Sequence, residues 1–423
     1  MPADDEDHAS RPIGRGSLRD ERAFVRWAFA DGVSVTGSAV STVVLPIIVF
    51  QATKSAAITG ALFAVRVVPY MLFGAVAGPV ADRWNRRRLI IGGHIIEGVL
   101  VATIPIAHML GVLTVAQIFI VGLLAATSFV FSDAAVFGAV PALVGTERLA
   151  AANGLLGSIV SGSEIAGPAL GGVLAAAVGT TNAIWVDAAS FFIAAGLEAT
   201  IRSNFRIGEP PPGGLQVKAQ LKKAMSFVRR NRSVGTLLLS GFGNSFGFGI
   251  VVGLLVPYAV QRLDFTDKDG RLGLLYGASG VGALIAGILF ARIFLPRRVK
   301  WATPSTIMLA AIAVAGLTIA TNWILAGGLL IVFAWANGVT VTTGITYRQL
   351  ASPDELRSSV NVFGRMISWG GQPFGAGVGS IVAKFATVRT SYVVAACVMF
   401  ATSLFAATFL RPSTEIQRPS PTI

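Results

Sequence analysis

The sequence is poor in charged residues and in cysteine. Charged side chains make up 13% of its 423 residues, whereas soluble domains carry about 25%. Its one cysteine, Cys397, cannot form a disulfide within the chain. The sequence also lacks a phosphate-binding loop, a metal-ligating cluster and a nucleophile–base pair. These absences argue against an enzyme, and neither a cofactor nor a metal is expected.

Long apolar segments fill the chain between residues 24 and 410. Hydrophobic residues make up 53% of the chain and the mean hydropathy is +0.70, and a helix that crosses a bilayer needs roughly 20 apolar residues. Residues 90–106 do not alternate between apolar and polar types, as the strands of a membrane barrel would. The sequence therefore predicts an all-α membrane protein with twelve spans, at 24–50, 57–81, 89–107, 113–137, 155–177, 182–201, 235–260, 272–294, 301–321, 323–346, 360–384 and 390–410.

A polar segment divides these spans into two halves of six. Residues 210–214 read Pro-Pro-Pro-Gly-Gly, which is typical of a linker. An apolar stripe beside lysines and arginines follows and predicts an amphipathic helix on the membrane surface. Transporters built from repeats share this organisation. The predicted domains are a tail at 1–23, a six-helix bundle at 24–205, a linker with the amphipathic helix at 206–233, a second bundle at 234–410 and a tail at 411–423.

The basic residues lie mainly on one side of the predicted membrane. With both termini in the cytoplasm, 26 of the 34 lysines and arginines fall in cytoplasmic segments and six in external loops. Because positively charged loops stay inside, both termini are predicted to be cytoplasmic, in the inner or plasma membrane. The net charge of +13 therefore reflects topology. No basic groove with interleaved aromatics points to nucleic acid, and the expected state is a monomer in the bilayer.

Acidic side chains occur within or at the ends of spans in the first half, and none lie inside the spans of the second. A carboxylate at the centre of a bilayer costs about 2.5–3.5 kcal/mol. The pattern indicates that the chain moves something across a membrane and that ion coupling, if present, lies in the first half. The acids are Asp31, Glu97, Asp133, Glu164, Asp187 and Glu198, and Arg66 adds a buried cation.

Residues 78–88, between the second and third spans, read Gly-Pro-Val-Ala-Asp-Arg-Trp-Asn-Arg-Arg-Arg. This segment resembles the G-x-x-x-D-R-x-G-R-R signature of the major facilitator superfamily. Asn85 replaces the second glycine, and asparagine also tolerates a left-handed turn. The resemblance implies a major facilitator fold of two six-helix bundles and a conformational latch; the alternative is that the arginines only set topology. The latch residues would be Gly78, Asp82, Arg83, Arg86 and Arg87, with Asp133 as the acid that an arginine reaches.

Span 5 contains Gly167, Pro168, Gly171 and Gly172, which resemble the G-P-x-x-G-G motif of antiporters in that superfamily. Glycine lets helix backbones touch and proline bends a helix; ordinary small-residue packing is the alternative. Residues 187–191 and 356–375 narrow the resemblance to twelve-span drug–proton antiporters, which include macrolide and siderophore exporters.

Two carboxyl groups are the candidates for proton coupling. Asp31 begins a polar stripe on span 1 that continues through Ser34 and Ser38, and it would face a central cavity unless it only caps a helix end. Glu164 lies near the middle of span 5. It either exchanges protons or forms a permanent ion pair with Arg66. Glu97, one turn from His94, and Asp187 are expected to be structural; a metal or proton relay is the alternative for His94 and Glu97.

The second half supplies aromatic and amide side chains for a substrate cavity. An apolar cavity with a few polar groups suits amphipathic ligands, and aromatic rings would favour organic cations. The predicted lining consists of Ser34, Ser38, Phe242, Asn244, Phe246, Asn337, Thr340, Trp369 and Gln372.

The sequence thus predicts a secondary transporter that exports an amphipathic small molecule in exchange for protons. A lipid or lysolipid flippase of the same fold and a proton-coupled nutrient importer remain as alternatives. The substrate itself is not predicted.

Overall fold

The computed structural model describes residues 21–145, 148–201, 205, 217–266, 269–293 and 299–410. The predicted tails and the Pro-Pro-Pro-Gly-Gly linker lie outside the described residues. Within them, the secondary structure consists of helices. These are α1 Arg22–Thr53, α2 Ala56–Arg83, α3 Arg86–Met109, α4 Val115–Val144, α5 Leu149–Val178, α6 Ile184–Ala199, α7 Val217–Arg230, α8 Arg232–Gly253, α9 Leu255–Arg262, α10 Arg271–Ile293, α11 Val299–Leu317, α12 Trp323–Ala351, α13 Asp354–Phe385 and α14 Val388–Phe409.

Ten of these helices are long and apolar enough to cross a membrane: α1 to α5, α8, α10 to α12 and α14. The prediction of an all-α membrane protein is confirmed. The predicted seventh span is broken at Leu254 into α8 and α9. Helix α6 has 16 residues, and α13 carries Arg365 and Lys384. If α6 and α13 also cross the membrane, the number of spans is twelve; that number stays a prediction.

The helices pack as two groups, and α7 lies between them in the sequence. In the first group, α1 packs on α5 and α6, α3 on α4 and α6, and α2 on α4. In the second, α8 packs on α13 and α14, α11 on α12 and α14, and α10 on α12. Clusters of buried apolar residues fill each group, and Val43, Ile47, Phe50 and Ala56 of the first also join a cluster of the second. Helix α7 packs on α13, with Ala224 buried.

Two seams join the groups. Helix α5 lies on α10, and α2 lies on α13 and α8. We call the side of the molecule that carries Arg83, Arg86 and Arg148 the basic side, and the side that carries Arg262 and Arg389 the opposite side. The polar residues of interest lie between these two sides.

Candidate functional site

The small residues of α5 form a junction with α1 and α10. Gly167 and Gly171 lie against the backbone of α1, whereas Gly172 lies against the backbone of α10. A side-chain carbon added at Gly273 of α10 would overlap the carbonyl oxygen of Pro168. The structure thus shows the close backbone approach that the sequence suggested. One face of α5 approaches α1, and another approaches α10.

The contact between α5 and α10 ends partway along the helices. Gly280 still meets α5, because a side-chain carbon there would lie 2.5 Å from the carbonyl oxygen of Glu164. Gly287 lies two turns further on the same face of α10, and a side-chain carbon added there would have no contact within 4 Å with another described helix. Gly157 of α5 is equally free. The two helices therefore diverge toward the basic side.

The seam between α2 and α13 opens in the same direction. Gly60 of α2 touches Ser380 near the opposite side. On the same face of α2, a side-chain carbon added at Gly74 would lie 3.9 Å from Met366, and one added at Gly78 would have no contact within 4 Å with another described helix. Both seams are closed at the opposite side, so the described helices enclose a cleft that opens on the basic side.

Glu164 faces this cleft. Its neighbour Ser163 is buried and bonds to Thr36 of α1 at 2.8 Å, while its own backbone packs on Gly280 of α10. The side chain of Glu164 therefore projects between α1 and α10, and it is exposed. The environment of Glu164 is that of an accessible carboxyl group in a cleft.

The polar stripe of α1 turns toward the interior of the first helix group. Ser34 lies 3.5 Å from Nε2 of His94, and Ser38 donates to Asp187 at 3.2 Å. These serines therefore hold buried partners, which corrects the prediction that they line the cavity. Asp31, on the same stripe, is only half-buried.

Behind α1 lies a cluster of buried ionisable groups. Nδ1 of His94 lies 2.9 Å from Oε2 of Glu198. Glu97, Asp187 and Glu198 are 3% exposed or less, so they lie away from the cleft. One oxygen of Glu97 and one of Glu198 have no hydrogen-bond partner among the described residues. The His94–Glu198 pair joins α3 to α6 and was not expected from the sequence.

Arg66 interacts electrostatically with Asp187 and Tyr276. It does not form the ion pair with Glu164 that was the alternative role for that acid, since the ion pairs of the described residues include neither side chain. Its side chain lies beside Gly122 of α4.

The latch residues tie the first helix group together at the basic side. Arg86 donates to Asp82 at 2.9 Å and to the carbonyl oxygen of Gly138 in α4 at 2.8 Å. Arg87 donates to the carbonyl oxygen of Ala199 at 2.6 Å, where the negative end of the α6 dipole favours a cation. Arg83 is the last residue of α2.

Two expectations for this latch are corrected. Asp133 accepts a hydrogen bond from Tyr70 of α2, and the carbonyl oxygens at the ends of α4 and α6 take the arginines instead. Asn85 has φ −68° and ψ 108°, which is extended backbone, and its side chain caps α3 by accepting from the Arg88 N–H. Asparagine is favoured there as a helix cap.

The structure separates the predicted cavity residues of the second half. Asn244 donates to Asn337 at 2.6 Å, and Thr340 bonds to Thr306 of α11 at 2.7 Å, so these groups join helices. Phe242 packs on Phe374, which is 53% exposed on the outer surface of α13. The prediction that one cavity is lined by Phe242, Asn244, Asn337 and Thr340 is corrected by these contacts. The fifth, Phe246, lies beside the apolar core.

Trp369 and Gln372 do lie on the inner face of α13, with Arg365. Gly371 and Gly375 of α13 pack on α8, Gly370 packs on Met71 of α2, and the exposed residues Phe374 and Val378 point away from both. Helical spacing places the remaining face, which contains these three side chains, toward the cleft. Arg365, Trp369 and Gln372 thus share one face of α13, and that face is turned toward the cleft.

A small cavity lies where α2 meets α13. The ring centroids of Tyr70 and Trp369 are 5.3 Å apart, and the Arg365 guanidinium lies 5.8 Å from the Trp369 ring centroid. Tyr70 was missed from the sequence because a single tyrosine among apolar residues carries no motif. The lining residues are Val67, Tyr70, Met71, Arg365, Met366, Trp369 and Gly370.

Comparison with known proteins gives a match over most of the chain. The family model of the Major Facilitator Superfamily matches residues 28–368. The enterobactin exporter EntS of Salmonella typhi is 24% identical over 328 residues, covering 75% of this chain and 76% of that protein. The multidrug efflux pump Tap of Mycobacterium tuberculosis (strain ATCC 25618 / H37Rv) is 26% identical over 301 residues, covering 68% and 70%.

Among solved structures, a bacterial homologue of the human lysosomal transporter Spinster has a similar fold. The TM-score is 0.69 with 16% identity, covering 94% of this chain and 97% of the other. That structure is described as inward-facing and unoccupied. At this identity the likeness bears on the fold alone.

Proposed function

The chain belongs to the major facilitator superfamily of membrane transporters, and from that premise we propose that it exports an amphipathic small molecule from the cytoplasm in exchange for protons. The observation that carries the proposal is a cleft open on the basic side with the exposed carboxyl group of Glu164 in it.

The direction of transport rests on charge and on relatives. Loops rich in lysine and arginine stay in the cytoplasm, so the basic side would be cytoplasmic, with both termini there. The cleft would then load its substrate from the cytoplasm. EntS and Tap are described as an exporter and an efflux pump, which supports export over uptake. Drugs and siderophore-like molecules are the substrate classes that these relatives suggest.

Proton coupling is supported by an excess of carboxyl groups. The described helices of the first group hold six of them between the two sides of the molecule, where the basic groups are one guanidinium, Arg66, and one imidazole, His94; Arg22, Arg26, Arg83 and Arg86 to Arg88 lie at the basic-side ends of α1, α2 and α3, and His108 lies at the far end of α3. Each ionised carboxylate left in the apolar interior costs about 2.5–3.5 kcal/mol, so proton uptake relieves the imbalance. We assign exchange with the cytoplasm to Asp31 and Glu164, because Glu164 is exposed and Asp31 is half-buried, whereas Glu97, Asp187 and Glu198 are buried.

In this scheme, protons that enter from outside neutralise Asp31 or Glu164 and favour the conformation open to the cytoplasm. Substrate that binds from the cytoplasm favours deprotonation and return. The latch of Asp82, Arg86 and Arg87 would hold the first helix group rigid while the seams open and close. The protein would work as a monomer, since both seams lie within one chain.

Transport into everted membrane vesicles tests the proposal. A macrolide, a cationic dye and a catecholate serve as probes, and a pH indicator follows proton movement. We expect accumulation with proton counterflow, and we expect Asp31→Asn and Glu164→Gln to abolish accumulation against a gradient. Asp264→Asn is the matched control, because Asp264 lies in a loop at φ 55°, which asparagine also adopts.

If both variants still concentrate a probe, the coupling assignment is wrong. Movement of a labelled lysolipid without proton counterflow would support the flippase instead. Uptake by intact cells that depends on an inward proton gradient would support the importer.

A further inference from the structure

Arg348 is a buried cation in the second helix group. Its side chain is 3% exposed and lies across Gly364 of α13. Its Nε has no hydrogen-bond partner among the described residues. The charged group with which it interacts there is Arg365, another guanidinium. Among the described side chains, no carboxylate contacts Arg348, and a buried charge that lacks a counter-ion is strongly unfavourable, so the two guanidinium groups favour the binding of an anion.

Arg365 connects this buried cation to the cleft. It lies on the inner face of α13 and lines the small cavity with Tyr70 and Trp369. The Trp369 ring lies beside the guanidinium, and the Tyr70 ring packs on Trp369, so the two rings form an aromatic wall of the cavity. The arrangement offers charge at one end and aromatic surface at the other.

We propose that Arg348 and Arg365 form a binding site for the anionic group of an amphipathic ligand: a carboxylate, phosphate or sulfonate. Guanidinium groups bind such anions through paired, charge-assisted hydrogen bonds. Trp369 and Tyr70 would contact the apolar part of the ligand next to the anion. The inference rests on the proposed function and narrows the substrate class toward anions, in contrast to the organic cations that aromatic residues alone suggested.

Asp133 is the competing partner. It accepts a hydrogen bond from Tyr70, and Tyr70 interacts electrostatically with Arg365. An acid of the first helix group could therefore neutralise Arg365 without any ligand. The test has to separate these two possibilities.

The experiment measures equilibrium binding to the purified full-length protein in phosphatidylcholine nanodiscs. Naphthalene-2-sulfonate and the uncharged naphthalene-2-sulfonamide share one ring system and differ in charge. We expect the sulfonate to bind at least about 10-fold more tightly, since hydrogen bonds to charged groups contribute about 10- to 100-fold in affinity. Arg365→Gln should remove the preference, Arg348→Gln should reduce it, and Arg365→Lys should keep part of it.

Arg389→Gln is the matched control, because Arg389 is exposed at the opposite side of the same helix group. Equal binding of the two probes to the wild-type protein overturns the proposal. So does a sulfonate preference that appears only in Asp133→Asn, since Asp133 would then be the resident counter-ion. Size-exclusion profiles show whether each variant folds.

Anionic groups could come from a soluble substrate or from a lipid headgroup. Nanodiscs that contain phosphatidylglycerol distinguish the two sources. Unchanged binding of the sulfonate assigns the site to a soluble ligand. Weaker binding of the sulfonate, caused by competition from the lipid and absent in Arg365→Gln, assigns the site to a lipid headgroup. Binding is measured without a proton gradient. Failure of this proposal therefore leaves the vesicle experiment unaffected, and failure of proton-coupled export leaves the binding result valid.

Discussion

Gly273→Ala should shift the protein away from the conformation described here. Gly273 lies where α10 crosses α5, and an added methyl group would overlap the carbonyl oxygen of Pro168. Neither group is the end of a flexible side chain, so the helices have to separate. Overpacking of this kind costs typically 1–3 kcal/mol. The cost falls only on conformations in which the opposite side is closed.

A differential cost of this size changes the ratio of the two conformations by roughly 5- to 150-fold. Double electron–electron resonance measures the distances between two spin labels and therefore the ratio of the two conformations. Labels at Asn182 and Arg389, both exposed at the opposite side, report on one helix group each. Cys397 is the chain's one cysteine, so Cys397→Ser gives a clean background. We expect Gly273→Ala to populate a longer distance across the opposite side.

Gly287→Ala is the matched control. It makes the same change on the same face of α10, but a side-chain carbon added at Gly287 would have no contact within 4 Å with another described helix. Its distance distribution should equal that of the parent protein. Identical distributions for Gly273→Ala and Gly287→Ala would refute the view that the α5–α10 seam closes the opposite side.

Two further predictions concern ionisable groups. His94→Leu leaves the buried Glu198 carboxylate without its partner and should destabilise the protein by about 1–3 kcal/mol in thermal unfolding. The double variant His94→Leu, Glu198→Leu should recover most of this loss of stability. Additive losses from the two substitutions would contradict the pairing. The hydrogen bond from the Arg271 side chain holds the pKa of Asp269 below its usual value. Its stabilisation of the start of α10 is therefore complete at pH values above the ordinary aspartate pKa. It is lost as the pH falls through the lowered pKa of Asp269. Amide protection factors at the start of α10, which correct for the intrinsic pH dependence of exchange, should fall over that acidic range, and Asp269→Asn should remove this fall.

The sequence predicted the helices well because hydrophobicity and length decide whether a helix enters a membrane. It also predicted the close approach at Gly167 and Gly172, since small residues permit it wherever they occur. It did not predict the faces of α8 and α12. Phe242 and Thr340 have suitable side chains for a cavity, but their orientation depends on how α8 and α12 pack on their neighbours, which no local pattern encodes.

Charge partners were the weakest part of the prediction. Arg348 was counted with the cytoplasmic loop charges, although α12 continues to Ala351 and buries it. Asp133 pairs with Tyr70, and His94 pairs with Glu198. Each of these pairs joins two helices that are distant in sequence. Pairing across helices follows from tertiary structure, so composition and spacing could not identify it.

The junction on α5 means that one turn of helix serves two mechanical purposes. Its contact with α1 lies within one helix group, whereas its contact with α10 lies between the two groups. In the proposed transport cycle, the first contact would persist and the second would break each time the opposite side opens. Bulk added at Gly167 should therefore lower the yield of folded protein, and bulk added at Gly172 should leave assembly intact but jam turnover. Assembly and motion can be damaged separately at positions five residues apart.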